Sequence, residues 1–247
     1  MRLLQNVYLV GGGPFAGLGL TAGGDCHVYL IDGGSELALI DCGLGISFDS
    51  VIGNVKADGL DPGRITKLFL THYHADHAGG ASHFQQRLGL SVAIGSDGSD
   101  ALATGDESAT SLAAAREAGI YPADYKLRPC PVADPLEDGA MRNVGGMGLR
   151  FLSTPGHCHG HGSYLMTGGA EPVLFAGDSV FWAGQILLQA IPDCDLQAAL
   201  ASVLKLEQLD FDAFLPGHGA VTLTGGHQHV EMAAKTVRNL AIPRNLV

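Results

Sequence analysis

The stretch HYHADH (72–77) constrains this chain more than any other. It sets His72, His74, Asp76 and His77 within six positions, directly after the apolar run ITKLFL (65–70). Titratable side chains crowded into one short loop repel or compete for partners unless something binds them together. Imidazole and carboxylate are also the ordinary ligands of zinc and similar divalent ions. One reading is a solvated polar loop that is merely rich in histidine. The other is a metal site.

The rest of the chain separates the two. Three further apolar runs end in glycine followed by a ligand-type side chain: TPGH reaches His157, FAGD reaches Asp178 and LPGH reaches His218. Seven such side chains on four loops suffice for two ions, with one carboxylate bridging them. Strand-end loops are where α/β folds usually hold their sites. The pattern therefore predicts a dinuclear centre built from His72, His74, Asp76, His77, His157, Asp178 and His218. Zinc is the default ion, and iron, manganese or cobalt suits the same donors.

The elements around these loops alternate. LLQNVYLV (3–10), CHVYLI (26–31), LALIDCG (37–43) and ITKLFL read as strands, the first two as a hairpin. SFDSVIGNVKADG (47–59) reads as a helix with Val51, Ile52 and Val55 on one face, and residues 79–89 as another. SVAIGS is a strand, residues 98–119 are helical, and the four-proline segment 120–139 is an irregular cap. Strands follow in GLRFLSTPG, YLMT, PVLFAGD and FDAFLPGHG. Two helices complete the pattern: residues 195–210, with Leu196, Leu200, Val203 and Leu204 inward, and HQHVEMAAKTVRNL. A mixed α/β architecture fits this order better than a purely parallel sheet.

Composition sets the outer limits. A chain of 247 residues, 46% apolar, suits a single domain over 1–247. Asp and Glu number 25 against 14 Lys and Arg, a net charge of −11. Such a chain has no electrostatic footprint for nucleic acid or anionic lipid, and no apolar window long enough to span a membrane. A small-molecule substrate is the expected partner, and a homodimer is compatible with the sequence. Cys26, Cys42, Cys130, Cys158 and Cys194 are odd in number and form no C-x-x-C pair. That argues for a reduced, cytoplasmic setting. The opening MRLLQNVYLVGGG lacks the pattern of a signal peptide. VGGGPFAGLG (10–19) follows a strand, but Pro14 and Phe15 stand where a dinucleotide site needs a helix. A hairpin loop overhanging a cleft is the better reading.

The ligand pattern resembles the metallo-β-lactamase superfamily. HYHADH, TPGH, GD and PGH occur in that family's order, and LIDCG (39–43) is similar to its early motif. The resemblance runs from about residue 5 to 220. It implies a four-layer αββα sandwich of two mixed sheets flanked by helices, with the site at one edge between the sheets. It implies His72, His74 and His157 on a first ion, Asp76, His77 and His218 on a second, and Asp178 as the bridge. Asp41 is the implied carboxylate that orients a ligand. HCHGHGS is close to a run seen in glyoxalase II-like and lactonase-like members, with His159 in place of a proline. A structural or supporting role is expected for His161, and none is assigned to His159.

Two adjacent cations acidify a shared water to near neutrality and polarise a carbonyl. Asp76 is the candidate catalytic group that holds and shuttles the proton. The expected activity is hydrolysis of a small thioester, ester or lactone by a metal-bridging hydroxide. The alternatives are a mononuclear-iron persulfide dioxygenase and a β-lactamase. A nuclease of the same fold fits the acidic charge poorly, and a non-enzymatic metal-binding module would not need both ion sites complete. After His218 the only cations are Lys235, Arg238 and Arg244, too few for a glutathione grip. Phe15, Tyr73, Tyr121, Tyr125, Phe181 and Trp182 are the candidate pocket aromatics. Cys158, beside His157, is the weaker candidate for a nucleophile.

Overall fold

The computed structural model describes residues 1–246, with the side chain of Phe15 outside that description. The expected pocket contact at Phe15 therefore lies outside the described residues. Six strands form the first sheet: β1 (Val7–Gly11), β2 (Val28–Asp32), β3 (Leu37–Ile40), β4 (Ile65–Phe69), β5 (Ser91–Gly95) and β6 (Asp134–Leu136), in that spatial order. Its first two pairings are antiparallel and the rest parallel. The second sheet holds β7 (Met141–Val144), β8 (Met147–Ser153), β9 (Gly162–Thr167), β10 (Val173–Gly177) and β11 (Ala213–Pro216). Its order is β11-β10-β9-β8-β7, antiparallel except for β10 with β11. The helices are α1 (Phe48–Ala57), α2 (Ala75–Ala78), α3 (Ala81–Leu88), α4 (Ser96–Thr104), α5 (Leu112–Glu117), α6 (Leu196–Leu206) and α7 (His227–Arg238).

Side chains alternate across a strand, so a strand apolar at every position buries both faces. In β1, Val7 and Leu9 enter the core between the sheets, while Tyr8 and Val10 face the helices. In β3, Ala38 and Ile40 face the second sheet, while Leu37 and Leu39 pack with α1, α3 and α4. Leu174 and Phe214 of the second sheet meet Val203, Leu206, Val230 and Ala234 of α6 and α7. The result is the expected four-layer αββα sandwich.

Several expectations shift locally. β3 stops at Ile40 because Asp41 takes a left-handed conformation, φ 60°, and turns the chain. Asp76 and His77 sit on the short helix α2 rather than in open loop. The irregular cap contains β6, whose Pro135 is tolerated because it lies on a sheet edge. α6 buries Ala199, Ser202, Val203 and Leu206; of the other expected inward leucines, Leu204 packs half-buried against the same cluster, and Leu196 and Leu200 are half-buried outside it. The Ser202 hydroxyl donates to Pro155 O at 2.7 Å, drawing the small-residue face onto the loop that carries His157.

Candidate metal centre

The C-terminal ends of β4, β8, β10 and β11 converge at one edge of the sandwich. Two bonds tie the sheets there: Gly162 N–H donates to Thr71 O at 2.7 Å, and the Tyr164 hydroxyl donates to Leu70 O at 2.8 Å. His72 and His74 follow β4, Asp76 and His77 lie on α2, and His157, Asp178 and His218 follow β8, β10 and β11. All seven side chains are buried.

They form two groups that share a carboxylate. Ligand atoms of His72, His74 and His157 lie within 4.8 Å of one another, as do those of Asp76, His77 and His218. In the first group His74 Nδ1 is 2.9 Å from His157 Nε2. In the second, His77 Nε2 and His218 Nε2 are 3.2 Å apart, and Asp76 Oδ2 is 3.2 Å from His218 Nε2. Asp178 stands between: Oδ1 is 3.4 Å from His77 Nε2, and Oδ2 is 3.7 Å from His157 Nε2. Two atoms each about 2.1 Å from one tetrahedral ion are about 3.4 Å apart, which matches this spacing.

The outer hydrogen bonds decide which nitrogen of each ring faces inward. The Thr71 hydroxyl donates to Asp41 Oδ2 at 2.8 Å, so it accepts from His72 Nδ1 at 3.0 Å. Asp41 Oδ2 also accepts from His77 Nδ1 at 2.9 Å, and Asp41 Oδ1 from Thr71 N–H at 2.8 Å. Asp193 Oδ2 accepts from His74 Nε2 at 3.0 Å. The lone pairs left over are His72 Nε2, His77 Nε2 and His74 Nδ1, and they point into the site. His72 Nε2 is fully buried and has no hydrogen-bond partner. Buried nitrogens turned inward over a shared carboxylate are the arrangement a divalent ion requires, so the residues fit one.

Burial and neighbouring charge pull the groups apart. Burial, with His77 and His74, holds His72 well below the usual histidine range, and burial with His74 lowers His157 to about 4. Burial also opposes charge on His218, but Asp178 and Asp76 outweigh it and raise it to about 9. Burial would raise Asp178, yet His218 and His77 hold it well below the usual carboxylate range.

The glycine before each late ligand has a steric cause. A Cβ on Gly217 would stand 2.2 Å from Asp178 Oδ1, and one on Gly177, where φ is 54°, would stand 2.6 Å from His161 Nε2. Only a bare backbone can approach so closely. His161 itself is a support: its Nε2 accepts from Asp178 N–H at 2.9 Å, and its Nδ1 lies 2.9 Å from the Thr154 hydroxyl. His159 is exposed.

A cavity of about 420 Å³ opens onto this floor. His74, Asp76, His157, Asp178 and His218 line its base, and Ala114, Ala115, Ala118, Ile120, Leu187 and Ile191 its walls. Among the described residues no Lys or Arg lines it. Of the candidate aromatics whose side chains are described, Tyr121 alone does, and its hydroxyl donates to Asp76 Oδ1 at 2.8 Å. Tyr73 and Phe181 are buried, Tyr125 donates to Leu44 O, and Trp182 is exposed against His229. Among its described residues, the Gly-rich loop does not line the cavity. It packs on the His218 loop through Gly219 N–H to Ala16 O at 2.8 Å. Cys158 is fully buried, and burial holds its thiol well above the usual range, which disfavours a thiolate nucleophile.

Two supports escape a reading by motif. Asp193 sits in an irregular segment with no pattern around it. His27 donates its backbone N–H to Gly217 O at 2.8 Å, and its Nδ1 lies 3.1 Å from Pro216 O, bracing the loop of His218. Thr71 was legible only as the first letter of the histidine motif.

The sequence profile of the metallo-beta-lactamase superfamily matches residues 21–218, and the chain belongs to that family. Among curated relatives, an atrochrysone carboxyl ACP thioesterase of Aspergillus fumigatus is 28% identical over 79% of this chain and 51% of its own length. A lactamase-like protein of Aspergillus niger is 26% identical over 78% of this chain and 49% of its own. The chain thus spans about half the length of these relatives. Among solved structures, a subclass B3 metallo-beta-lactamase of Bradyrhizobium japonicum superposes with a TM-score of 0.74 at 20% identity, covering 97% of this chain and 91% of that one. A metallo-beta-lactamase from Legionella gormanii gives 0.73 at 21% identity, covering 97% and 94%. Both likenesses establish the fold. Among the described residues no helix is long and apolar enough to cross a membrane.

Proposed function

We propose that this chain is a dinuclear metal-dependent hydrolase of small, uncharged thioesters, esters or lactones. One observation carries the reading: inward-facing imidazole nitrogens in two groups share Asp178 at the floor of an apolar cavity. His72, His74 and His157 would hold one ion, and Asp76, His77 and His218 the other. Bound there, two divalent ions, zinc by default, supply Lewis acidity and an acidified water.

The chain's own groups do the rest. Asp178 stands between the two groups, with Oδ1 toward His77 and Oδ2 toward both His157 and His218. Asp76 presents Oδ2 to the second group and keeps Oδ1 toward the cavity, where Tyr121 donates to it. These two contacts support Asp76 as the carboxylate that passes a proton between the pocket and the site. The alanine and isoleucine walls exclude water and favour an apolar acyl group. Among the described residues no cation lines the cavity, which counts against glutathione and other anionic carriers near the floor. The thioesterase among the relatives supports a thioester as the first substrate class to examine.

Elemental analysis and a turnover panel test this together. Two zinc or manganese ions per chain, with hydrolysis of uncharged acyl thioesters or lactones, are expected. One iron per chain, with oxygen uptake on a persulfide, would replace the reading with a dioxygenase.

A further inference from the structure

We infer that Asp193 is a positioning residue for His74: it fixes the ring tautomer that turns Nδ1 toward the first ligand group. The inference rests on the metal reading above. Asp193 lies between β10 and α6, 119 positions from His74, and is almost wholly buried. Its Oδ2 is 3.0 Å from His74 Nε2 and accepts from the Tyr73 hydroxyl at 3.2 Å. Its Oδ1 accepts from the Ser111 hydroxyl at 2.5 Å. An ionised carboxylate has only acceptors, so the proton between Asp193 and His74 rides on Nε2. The lone pair is thereby left on Nδ1, which sits 2.9 Å from His157 Nε2.

The carboxylate has a second consequence. Ser111 precedes α5, whose Ala114 and Ala115, with Ala118 just past its end, wall the cavity. One buried side chain therefore joins a ligand of the first group to the wall over it. With Asp193 removed, His74 loses the acceptor that distinguishes its nitrogens, and the ring is free to turn either one inward. Loss of such a partner typically weakens metal binding by about 10–100-fold. Asn in its place keeps an oxygen acceptor for the same N–H, and its amide can donate to Ser111.

The test is zinc titration of the whole chain against a competing chelator, for the wild type, Asp193→Ala and Asp193→Asn. Asp193→Ala should weaken one ion by about 10–100-fold and leave the other at its wild-type affinity. Asp193→Asn should recover most of the loss. Unchanged binding of both ions by Asp193→Ala would overturn the inference. So would equal weakening of both ions with no rescue by Asn, which marks a merely structural role. A third wild-type ion lost in both Asp193→Ala and Cys158→Ala would overturn it too, by making Asp193 a ligand. A measurement without any variant guards against failed folding: ring nitrogen shifts of His74 in the metal-free wild type. Protonated Nε2 and bare Nδ1 are expected, and the reverse tautomer refutes the role. A wild type that binds no zinc sinks the metal reading itself, whatever the tautomer shows.

Discussion

The two ligand groups share Asp178 but are built from opposite chemistry. The first, His72, His74 and His157, has three imidazoles and no carboxylate of its own, and burial keeps two of them uncharged: His72 lies well below the usual range and His157 at about 4. The second sets Asp76 against His77 and His218, and there His218 is raised to about 9. Without ions, the second group compensates itself as a buried ion-pair network, whereas His72 and His157 of the first stay uncharged. Their supports differ as well. Asp41, the residue after β3, holds the second group directly through His77 and reaches the first only through the Thr71 hydroxyl, while the distant Asp193 holds the first directly through His74.

This contrast can be broken or sharpened by experiment. Asp178→Ala strikes both groups at once and should cost at least about a thousandfold in kcat/KM on the best thioester or lactone. Near-normal turnover would leave no shared bridge to compare. Asp41→Ala should weaken zinc at the second group by about 10–100-fold in a chelator titration, through His77, with a smaller loss at the first group through Thr71 and His72. It is the mirror of Asp193→Ala, and a double variant that loses no more than either single one would show that the groups are not separate. Tyr121→Phe removes the donor on Asp76 Oδ1 and should lower kcat/KM by roughly tenfold without releasing an ion.

The metal-free chain should show the contrast as two pH flanks. His157 is lowered to about 4, so the unfolded chain takes up that proton first, and stability falls as pH drops from 6.5 toward 4. His218 is raised to about 9, so its contribution is complete below 6.5 and is lost as pH rises toward 9. Thermal unfolding of chelated protein across this range checks both signs. A flat acid side would mean that the first group is not held neutral. The smallest effect is expected from Cys158→Ala. It leaves both groups intact and costs about 1 kcal/mol of packing, so a large loss of turnover would put the thiol back into the chemistry.

Ligand-type side chains announce themselves one position at a time, so the seven candidates of both groups could be picked out from the sequence. Each is a His or Asp beyond an apolar strand, and the late ones follow a glycine that leaves room for them. The same locality carried the strands, because a run apolar at every position has to be buried on both faces. The tertiary structure decided what depends on approach between distant segments. Asp193 meets His74 across 119 positions, and neither neighbourhood carries a period or motif that announces it. The inward face of α6 went to small residues because the loop of His157 comes close, which a hydrophobic period cannot foresee. Among the candidate aromatics, Tyr121 reached the cavity and Trp182 did not, since facing a pocket is a property of how segments pack rather than of the residue. Which nitrogen of each histidine turns inward was also left to the fold, because only a partner on the other side of the ring distinguishes the two.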